Sequence, residues 1–431
     1  MEEVFFLGLD LGTSGCRLCV IDDLGRSRAL YRQPWAAGQA SDPAAWWQAA
    51  CALLGRAGAD FPPGQCRALA VDGTSGSLLL CDAEGEPLAP VLMYHDDRAR
   101  DPAARVADGA PPDSAAHGPT ASLAKLLWLQ EQPAARHARW ALHQADWLTG
   151  RLLGRYGISD ENNSLKMGYD AQRRCWPDWL AGLGVETARL PRVVPAGTPL
   201  GTLDARVAGL LGLSPGLQII AGTTDGVAGF LASGATRVGE AVTSLGSTLV
   251  LKVLCDKAIN AKQYGIYSHR LGTRWLAGGA SNCGGAVLRR YFSQAELDRM
   301  TPLLDPEQPT GLDYYPLPLP GERFPVNDPE MAPRLTPRPD DPVRFYQAIL
   351  EGIARVEQAG YRLLAGLGAP RPRCVHTVGG GAGNAPWTRI RARCLEVPVQ
   401  PAVQQEAACG AALLARDGWL GKAWLRGTPS P

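Results

Sequence analysis

The order of apolar and polar positions along the chain predicts strands that pair as hairpins around short turns. Apolar residues over 4–10 and 16–21 enclose a turn at residues 12–15, which is typical of two neighbouring strands. The arrangement returns around a turn at residues 72–76 and, more weakly, around a turn at residues 244–248. The sequence therefore predicts three hairpins with glycine-rich tips.

Stretches with helical spacing of apolar residues lie between the predicted hairpins. They cover residues 44–57, 121–130, 140–153 and 343–367. Strand groups that alternate with helices are typical of α/β layers. Residues 301–342 are rich in proline and follow neither spacing. We predict an irregular loop that covers the surface there, with a lid over a binding cleft as the alternative.

The length of the chain predicts two domains. A chain of 431 residues is longer than one hydrophobic core usually organises. An apparent strand, a glycine-rich turn and a helix occupy residues 217–235, and the second half then restarts with its own hairpin. We therefore predict an N-terminal domain of residues 1–230, a C-terminal domain of residues 231–431, and a cleft between them.

Charge and hydropathy exclude several classes of partner. The chain has 43 basic and 42 acidic side chains and no basic block, so nucleic acid and anionic membranes are not expected partners. The first apolar run lacks a basic start and is stopped by Asp10, unlike a signal peptide. No apolar run approaches membrane-spanning length. We expect a soluble cytoplasmic protein, either a monomer or a homodimer.

The cysteine pattern predicts reduced thiols. Eleven cysteines are scattered along the chain, unlike a disulfide framework. Cys16 and Cys19 have the spacing of a metal-binding pair, but on a strand they would point to opposite faces. We therefore expect both to be structural.

The first hairpin tip has the composition of a phosphate-binding turn. Backbone N–H groups of a turn such as Gly12-Thr13-Ser14 can point at phosphate oxygens. Asp10, at the end of the preceding strand, could hold Mg²⁺ beside those phosphates. An ordinary hairpin turn would have the same composition, so this alternative stays open.

Two further glycine tips support nucleotide binding. The first is Gly246-Ser247-Thr248, and the second is Gly379-Gly380-Gly381, which follows an apparent strand. Consecutive glycines permit a flat group such as adenine to lie against the backbone. A plain connection between a strand and a helix is the alternative for the last tip.

Six short motifs then occur in a recognisable order. They are Gly8-Leu9-Asp10-Leu11-Gly12-Thr13-Ser14, Tyr94-His95-Asp96-Asp97-Arg98-Ala99, Asp146-Trp147-Leu148-Thr149-Gly150, Gly222-Thr223-Thr224-Asp225, Gly379-Gly380-Gly381-Ala382 and Glu406-Ala407-Ala408-Cys409-Gly410-Ala411-Ala412. Over nearly its whole length the chain thereby resembles the FGGY carbohydrate kinases. Residues 72–76, 160–166 and 314–316 make it most similar to the branch of cyanobacterial and plant D-ribulose kinases and xylulose-kinase-like proteins.

The resemblance implies a fold, two cofactors and a set of site residues. The fold would be α/β, with two actin-like (ribonuclease H-like) domains and a cleft for nucleotide and sugar between them. The N-terminal domain would bind the sugar, the C-terminal domain would bind ATP, and Mg²⁺ would be the metal. Asp225 would be the catalytic aspartate facing the accepting hydroxyl, and Asp10 would contact the metal, the phosphates and the substrate. The implied nucleotide-binding residues are Gly12, Thr13, Ser14, Gly246, Ser247, Thr248, Gly379, Gly380, Gly381 and Asn384.

A catalytic role for Asp225 agrees with the chemistry of phosphoryl transfer. The transition state is loose, so orientation and charge stabilisation matter more than the basicity of the carboxylate. The alternative is that Asp225 only caps the following helix.

The turn at residues 72–76 indicates the class of substrate. Ser75 offers a hydroxyl, but the turn contains no arginine or lysine, which an anionic substrate would normally require. A small neutral sugar is therefore predicted, with the ketopentose D-ribulose first and D-xylulose or a polyol as alternatives. His95 and Arg98 are candidate substrate contacts, unless Arg98 only pairs with Asp96 or Asp97.

Other activities remain compatible with the predicted fold. Actin-like proteins include chaperones, filament proteins and sugar-responsive regulators, which hydrolyse ATP or only bind a ligand. Asp225 favours a kinase, as does the lack of a DNA-binding segment. A weakly active pseudo-kinase is the stronger rival, because the substrate turn carries so few polar side chains.

Overall fold

The chain folds into two compact units in a computed structural model that describes residues 3–62 and 64–422. The first unit contains the residues up to Ala232, the short segment His269–Thr273 and the residues from Glu406 onward. The second contains Ser233–Ser268 and Arg274–Gln405. The outer domain limits predicted at residues 1 and 431 lie outside the described residues. Within the described residues, no helix is both long and apolar enough to cross a membrane.

Strands and helices alternate along most of the chain. The strands are β1 (Phe5–Leu11), β2 (Gly15–Asp22), β3 (Ser27–Pro34), β4 (Cys66–Gly73), β5 (Leu78–Cys81), β6 (Trp140–His143), β7 (Ile158–Asp160), β8 (Arg192–Val194), β9 (Pro199–Thr202), β10 (Gln218–Thr224), β11 (Glu240–Leu245), β12 (Leu249–Cys255), β13 (Tyr267–Leu271), β14 (Arg274–Ser281), β15 (Cys374–Val378) and β16 (Val399–Pro401). The helices are α1 (Pro43–Asp60), α2 (Arg100–Gly109), α3 (Ser122–Gln130), α4 (Gln144–Leu153), α5 (Trp179–Gly182), α6 (Ala205–Leu211), α7 (Asp225–Ala232), α8 (Gln294–Met300), α9 (Pro342–Gly366), α10 (Ala385–Leu395) and α11 (Ala407–Trp419).

The first unit is built on a six-stranded sheet in the order β3-β2-β1-β4-β10-β9. β1 and β10 both pair in parallel with β4, whereas β1, β2 and β3 pair antiparallel. Every residue of β1 is buried, as expected of a strand covered on both faces. The carboxyl ends of β1, β4 and β10 consequently lie at one edge of the sheet.

The second unit repeats the order and the directions of five of these strands. Its sheet has the order β13-β14-β12-β11-β15-β16, in which β14, β12 and β11 pair antiparallel and β15 pairs in parallel with β11 and β16. The long helix α9 buries its apolar face in the core of this unit. The predicted α/β class with two similar domains is confirmed.

Helix α11 packs so closely against the first sheet that its backbone touches the backbone of β1. A methyl group added at Gly8 would lie 2.0 Å from the carbonyl oxygen of Ala408, and one added at Gly410 would lie 1.8 Å from that of Ala228. Any larger residue at either glycine would push α11 away from β1 or α7. The small residues over 407–412 therefore serve close packing.

A disulfide joins β2 to α11, between Cys19 and Cys409. The prediction of reduced thiols is wrong for this pair. The two cysteines are separated by 390 residues in sequence, so their spacing gives no signal that they meet. Cys16 and Cys19 belong to different hydrophobic clusters. They therefore point to opposite faces of β2, as predicted.

Two predicted local elements are wrong. Residues 68–81 do not form a hairpin, because β4 already has a parallel partner on each side and β5 pairs with β6 instead. The helix predicted over 140–153 begins only at Gln144, and the residues before it form β6. Both errors arise because a pattern within one segment does not identify the partner strand.

The proline-rich segment over 301–342 is irregular, as predicted, but it also contributes to the core of the second unit. Tyr314, Leu317 and Phe324 are buried there. Phe324 fills space above Gly279 and Gly360, where a methyl group would lie 2.4 Å and 2.7 Å from its ring. The segment is thus held by apolar anchors.

A buried ion pair connects helices α9 and α10. Arg391 donates hydrogen bonds from Nε and Nη2 to the carboxylate of Glu357, each at 2.7 Å, and from Nη1 to Thr377 Oγ1 at 2.7 Å. Both charged side chains are 0% exposed. The pair links two helices to β15 inside the second unit.

Replacement of one partner of this pair should destabilise the protein strongly. We expect Arg391→Met to lower the free energy of unfolding by about 3–5 kcal/mol, because Glu357 stays buried without its cation. Urea unfolding followed by tryptophan fluorescence measures the change. Arg105→Met is the control, since Arg105 pairs with Glu131 at the surface and its loss should cost less than about 1 kcal/mol. Equal effects of the two substitutions would contradict the expectation.

Candidate active site

Three aspartates meet at the carboxyl edge of the parallel strands in the first unit. Asp10 on β1 and Asp72 on β4 are register partners. Thr223 on β10 is the partner of Asp72 on its other side, and Asp225 begins α7 directly after β10. Asp10 is 4% exposed and Asp72 is 0% exposed.

Burial and mutual repulsion raise the pKa values of two of these carboxyl groups. Burial, followed by the negative charge of Asp225, raises the pKa of Asp10 to about 6. Burial, together with the charges of Asp10 and Asp225, holds the pKa of Asp72 well above its ordinary value. Groups with such shifts often belong to functional sites. The cluster therefore favours binding of a cation.

Arg17 is the nearest cation to this cluster. It lies opposite Asp10 in the β1–β2 hairpin, and its Nη1 donates to Asp10 Oδ2 at 3.2 Å. Its Nη2 donates to Ser14 Oγ at 2.9 Å, and its Nε lies 3.2 Å from Glu406 Oε2. Arg17 thus connects the carboxylate cluster to the predicted phosphate turn, where Thr13 and Ser14 are exposed.

The carboxylate cluster fits a divalent cation. Asp10 Oδ1 and both carboxylate oxygens of Asp72 are buried, and apart from these two carboxyl groups themselves no described residue offers them a hydrogen-bond donor. No three metal-binding side chains in the described ranges are close enough to hold a metal on their own. Mg²⁺ is commonly held by one or two carboxylates, with water and phosphate oxygens as further ligands. The donors present match that requirement.

The turn that contains Ser75 is held by hydrogen bonds on both sides. Gln144 Oε1 accepts from the backbone N–H of Thr74 at 3.1 Å and from its hydroxyl at 2.8 Å. Ser77 Oγ lies 2.5 Å from Thr74 Oγ1 and accepts from the N–H of Tyr94 at 3.0 Å. Ser75 is the one half-exposed residue of this otherwise buried turn.

Two lysines from distant segments contact the same turn. Lys125 Nζ donates to the carbonyl of Gly76 at 2.8 Å, and Lys166 Nζ donates to the carbonyl of Ser75 at 3.2 Å. The sequence argument for a neutral substrate relied on the absence of a cation from residues 72–76. That argument fails in this form, because cations reach the turn from elsewhere in the chain.

His95 and Arg98 are exposed on the segment that follows. Arg98 forms an ion pair with Asp96, with 2.8 Å between Nη2 and Oδ2, and its guanidinium lies over the ring of Trp128. The alternative given for Arg98 is thus realised. The ring of His95 packs edge-on against that of Tyr94.

The two remaining glycine tips lie side by side in the second unit. Residues 246–248 connect β11 to β12, and residues 379–381 follow β15, the parallel neighbour of β11. Ser247 Oγ accepts from Arg289 Nη2 at 2.8 Å. These tips have the arrangement expected of one binding surface.

Asn384 has a structural role at this position. Its Oδ1 accepts from the N–H of Trp387 at 2.9 Å and caps α10, and its Nδ2 donates to the Tyr346 hydroxyl at 3.0 Å. Nδ2 carries a second hydrogen and Oδ1 a second lone pair, so these two bonds do not exclude a contact of this side chain with a nucleotide.

Sequence reasoning missed Asp72, Arg17, Lys125 and Lys166. For Arg17 a signal was available, because counting across the hairpin turn places it opposite Asp10. Asp72 ends an apolar run as Asp10 does, and that likeness could have identified it. The lysines gave no signal, since each reaches the turn through the tertiary fold.

Comparison with known families agrees with the observed fold. Residues 5–232 match the N-terminal domain of the FGGY family of carbohydrate kinases, and residues 241–416 match its C-terminal domain. These matches cover most of the chain, including all three aspartates and all three glycine tips. The fold is thus that of a carbohydrate kinase. The chain belongs to the FGGY family.

Similar proteins share most of the length of the chain. A xylulose kinase of Streptomyces coelicolor is 31% identical over 434 residues, which cover 95% of this chain and 87% of that protein. A xylulose kinase of Escherichia coli is 26% identical over 414 residues, which cover 90% and 84%. The structure of a "xyloylose kinase" from Brucella ovis has a TM-score of 0.87 at 25% identity and covers 97% of this chain and 91% of that one.

Replacement of Asp225 tests its predicted role. We expect Asp225→Asn to lower sugar-dependent turnover by about 10²- to 10⁴-fold, because an amide cannot accept the proton of the hydroxyl. Stability should not fall, since asparagine caps a helix about as well as aspartate and the substitution removes the repulsion between Asp225 and Asp10. Turnover and thermal unfolding are measured on one preparation. If turnover also stays near wild type, Asp225 only caps α7, where its Oδ1 accepts from the N–H of Gly226.

The raised pKa of Asp10 predicts a pH dependence of stability. Between its ordinary value of 3.8 and about 6, the folded protein binds more protons than the unfolded chain, so stability falls as pH rises through this window. At about 1.4 kcal/mol per pKa unit the effect is about 3 kcal/mol. Asp10→Asn removes this pH dependence. The free energy of unfolding that the variant gains over the wild type should therefore grow from pH 4 to pH 6 and then level off.

Urea unfolding without metal or nucleotide measures this dependence. The matched control is Asp23→Asn, because Asp23 is an exposed aspartate in the turn between β2 and β3. If the difference in free energy of unfolding between Asp10→Asn and the wild type stays constant from pH 4 to pH 6, burial does not disfavour the Asp10 carboxylate.

Proposed function

We propose that this protein transfers the γ-phosphate of Mg-ATP to a hydroxyl of a small ketopentose, giving a sugar phosphate and ADP. The observation that carries the proposal is the meeting of Asp10, Asp72 and Asp225 at one edge of the first sheet. Such a cluster suits metal-assisted phosphoryl transfer better than binding alone. Membership of a family of carbohydrate kinases supports it.

In this proposal the aspartates have different tasks. Asp225 orients the attacking hydroxyl and accepts its proton. Asp10, with Asp72 beside it, would hold Mg²⁺, which when bound neutralises the charge on the phosphate oxygens. Arg17 keeps Asp10 and Ser14 in place. The tips at residues 12–14, 246–248 and 379–381 would bind the nucleotide through backbone N–H groups.

The relatives change the order of the substrate candidates. D-Ribulose was the first expectation from the sequence, but the similar proteins reported above are named as xylulose kinases. We therefore place D-xylulose first and D-ribulose second. The two sugars are epimers, and one or two hydrogen bonds can distinguish them. Ser75 and the groups around it are the proposed source of those bonds.

A substrate panel tests the proposal. Formation of ADP is measured with D-xylulose, D-ribulose, L-fuculose, glycerol and D-gluconate, each with and without Mg²⁺. We expect Mg²⁺-dependent ADP formation that at least one ketopentose stimulates several-fold, with D-xylulose giving the highest kcat/KM. D-Gluconate is included because the half-buried Lys166 beside Ser75 carries the positive charge that an anionic substrate would need.

The same panel distinguishes the rival activities. Hydrolysis of ATP at one unchanged rate with every sugar would contradict the kinase proposal and favour a regulator or a pseudo-kinase. Preference for D-gluconate would retain phosphoryl transfer but contradict the ketopentose. Asp225→Asn is the matched control for contaminating kinases, since sugar-dependent ADP formation should fall with it.

A further inference from the structure

Within the part of the chain that the structure describes, the buried Lys125 side chain donates hydrogen bonds only to backbone carbonyl groups. Its side chain on α3 is 0% exposed. Nζ donates to the carbonyl of Gly76 at 2.8 Å and to that of Met93 at 2.6 Å. No carboxylate of the described residues forms an ion pair with it. Burial of an ammonium group without a counter-charge is costly, and an apolar side chain would fill the same space without that cost.

The two carbonyl groups belong to the two turns that carry the candidate substrate contacts. Gly76 directly follows Ser75, and Met93 lies two residues before His95. The N–H of Asp96 donates to the Met93 carbonyl at 2.8 Å, and the N–H of Tyr94 donates to Ser77 Oγ at 3.0 Å. Lys125 therefore connects the turn at residues 72–76, here called the Ser75 turn, to the turn at residues 93–96, here called the His95 turn.

Burial and neighbouring charges shift the pKa of the Lys125 ammonium group. Burial, and then the nearby charge of Lys166, lowers the pKa of Lys125 to about 7, while the charge of Asp96 acts in the opposite direction. Lys166 itself donates to Ser75, so both cations act on the same turn. Lys166 is half-buried, whereas Lys125 cannot be reached by solvent.

We propose that Lys125 is a positioning residue for the sugar, which fixes the Ser75 turn against the His95 turn before the substrate binds. The inference rests on the proposed function, because that function assigns these two turns to the sugar. Lys125 does not contact the sugar in this proposal. It restricts the movement of backbone groups and of Ser75, and thereby lowers the entropic cost of binding.

Kinetics of Lys125→Met test the proposal. Methionine keeps the length of the side chain but donates no hydrogen bonds. We expect KM for the sugar to rise at least about tenfold, because both turns then have to be ordered when the sugar binds, while KM for ATP stays within about twofold. Lys262→Met is the control, because Lys262 is an exposed lysine of the second unit. Equal increases of both KM values would indicate general damage and would overturn the proposal.

Amide hydrogen exchange without ligands gives a second readout. In Lys125→Met we expect faster exchange over residues 74–77 and 93–96, with no change in β1 or β10. Unchanged exchange in both turns would overturn the proposal even if the kinase activity is confirmed. If no sugar is a substrate of the wild type, the proposed function fails, and exchange still decides whether Lys125 holds the turns. Lys125→Gln, which keeps donors with a shorter reach, replaces the methionine variant if that variant does not fold.

Discussion

Parallel pairing of β1, β4 and β10 forces their carboxyl ends to one edge of the first sheet, and the candidate site depends on this constraint. Asp10 and Asp72 become neighbours because their strands are in register, and Asp225 joins them because α7 starts where β10 ends. Asp10 and Asp72 are buried and Asp225 is half-exposed beside them, so negative charge on all three carboxylates would oppose folding. The fold therefore accepts a cost that Arg17 relieves in part and that a bound cation or a proton would relieve further. Such costs are common where a protein performs chemistry.

The sequence predicted those parts of the fold that depend on short stretches of chain. β1, β2 and β10 are mainly apolar runs next to glycine turns, so their existence follows from local pattern. The pairing of β5 with β6 does not follow, because it depends on which sheet edges are already occupied. Lys125 lies 49 and 32 residues from the carbonyls that it binds. Distances of this kind are set by packing of the whole unit, so no local pattern contains them.

The resemblance and the structure contribute different information about the site. Motifs indicated Asp10, Asp225 and the glycine tips, but they gave no account of how each residue is held. The structure adds Arg17 between Asp10 and Ser14, and Gln144 and Ser77 around Thr74. It also shows that Asn384 is already used to cap α10. Residues that support a site are therefore harder to recognise from a motif than residues that act in it.

Close packing of α11 against β1 and α7 has a consequence for the order in which the protein is made. The ribosome completes all residues of the second unit, which ends at Gln405, before it begins α11. Until then the first unit lacks the helix that covers Gly8 and Ala228. The unit translated first is thus the unit finished last, and the nascent chain has to keep one apolar face of its first sheet exposed while the second unit emerges.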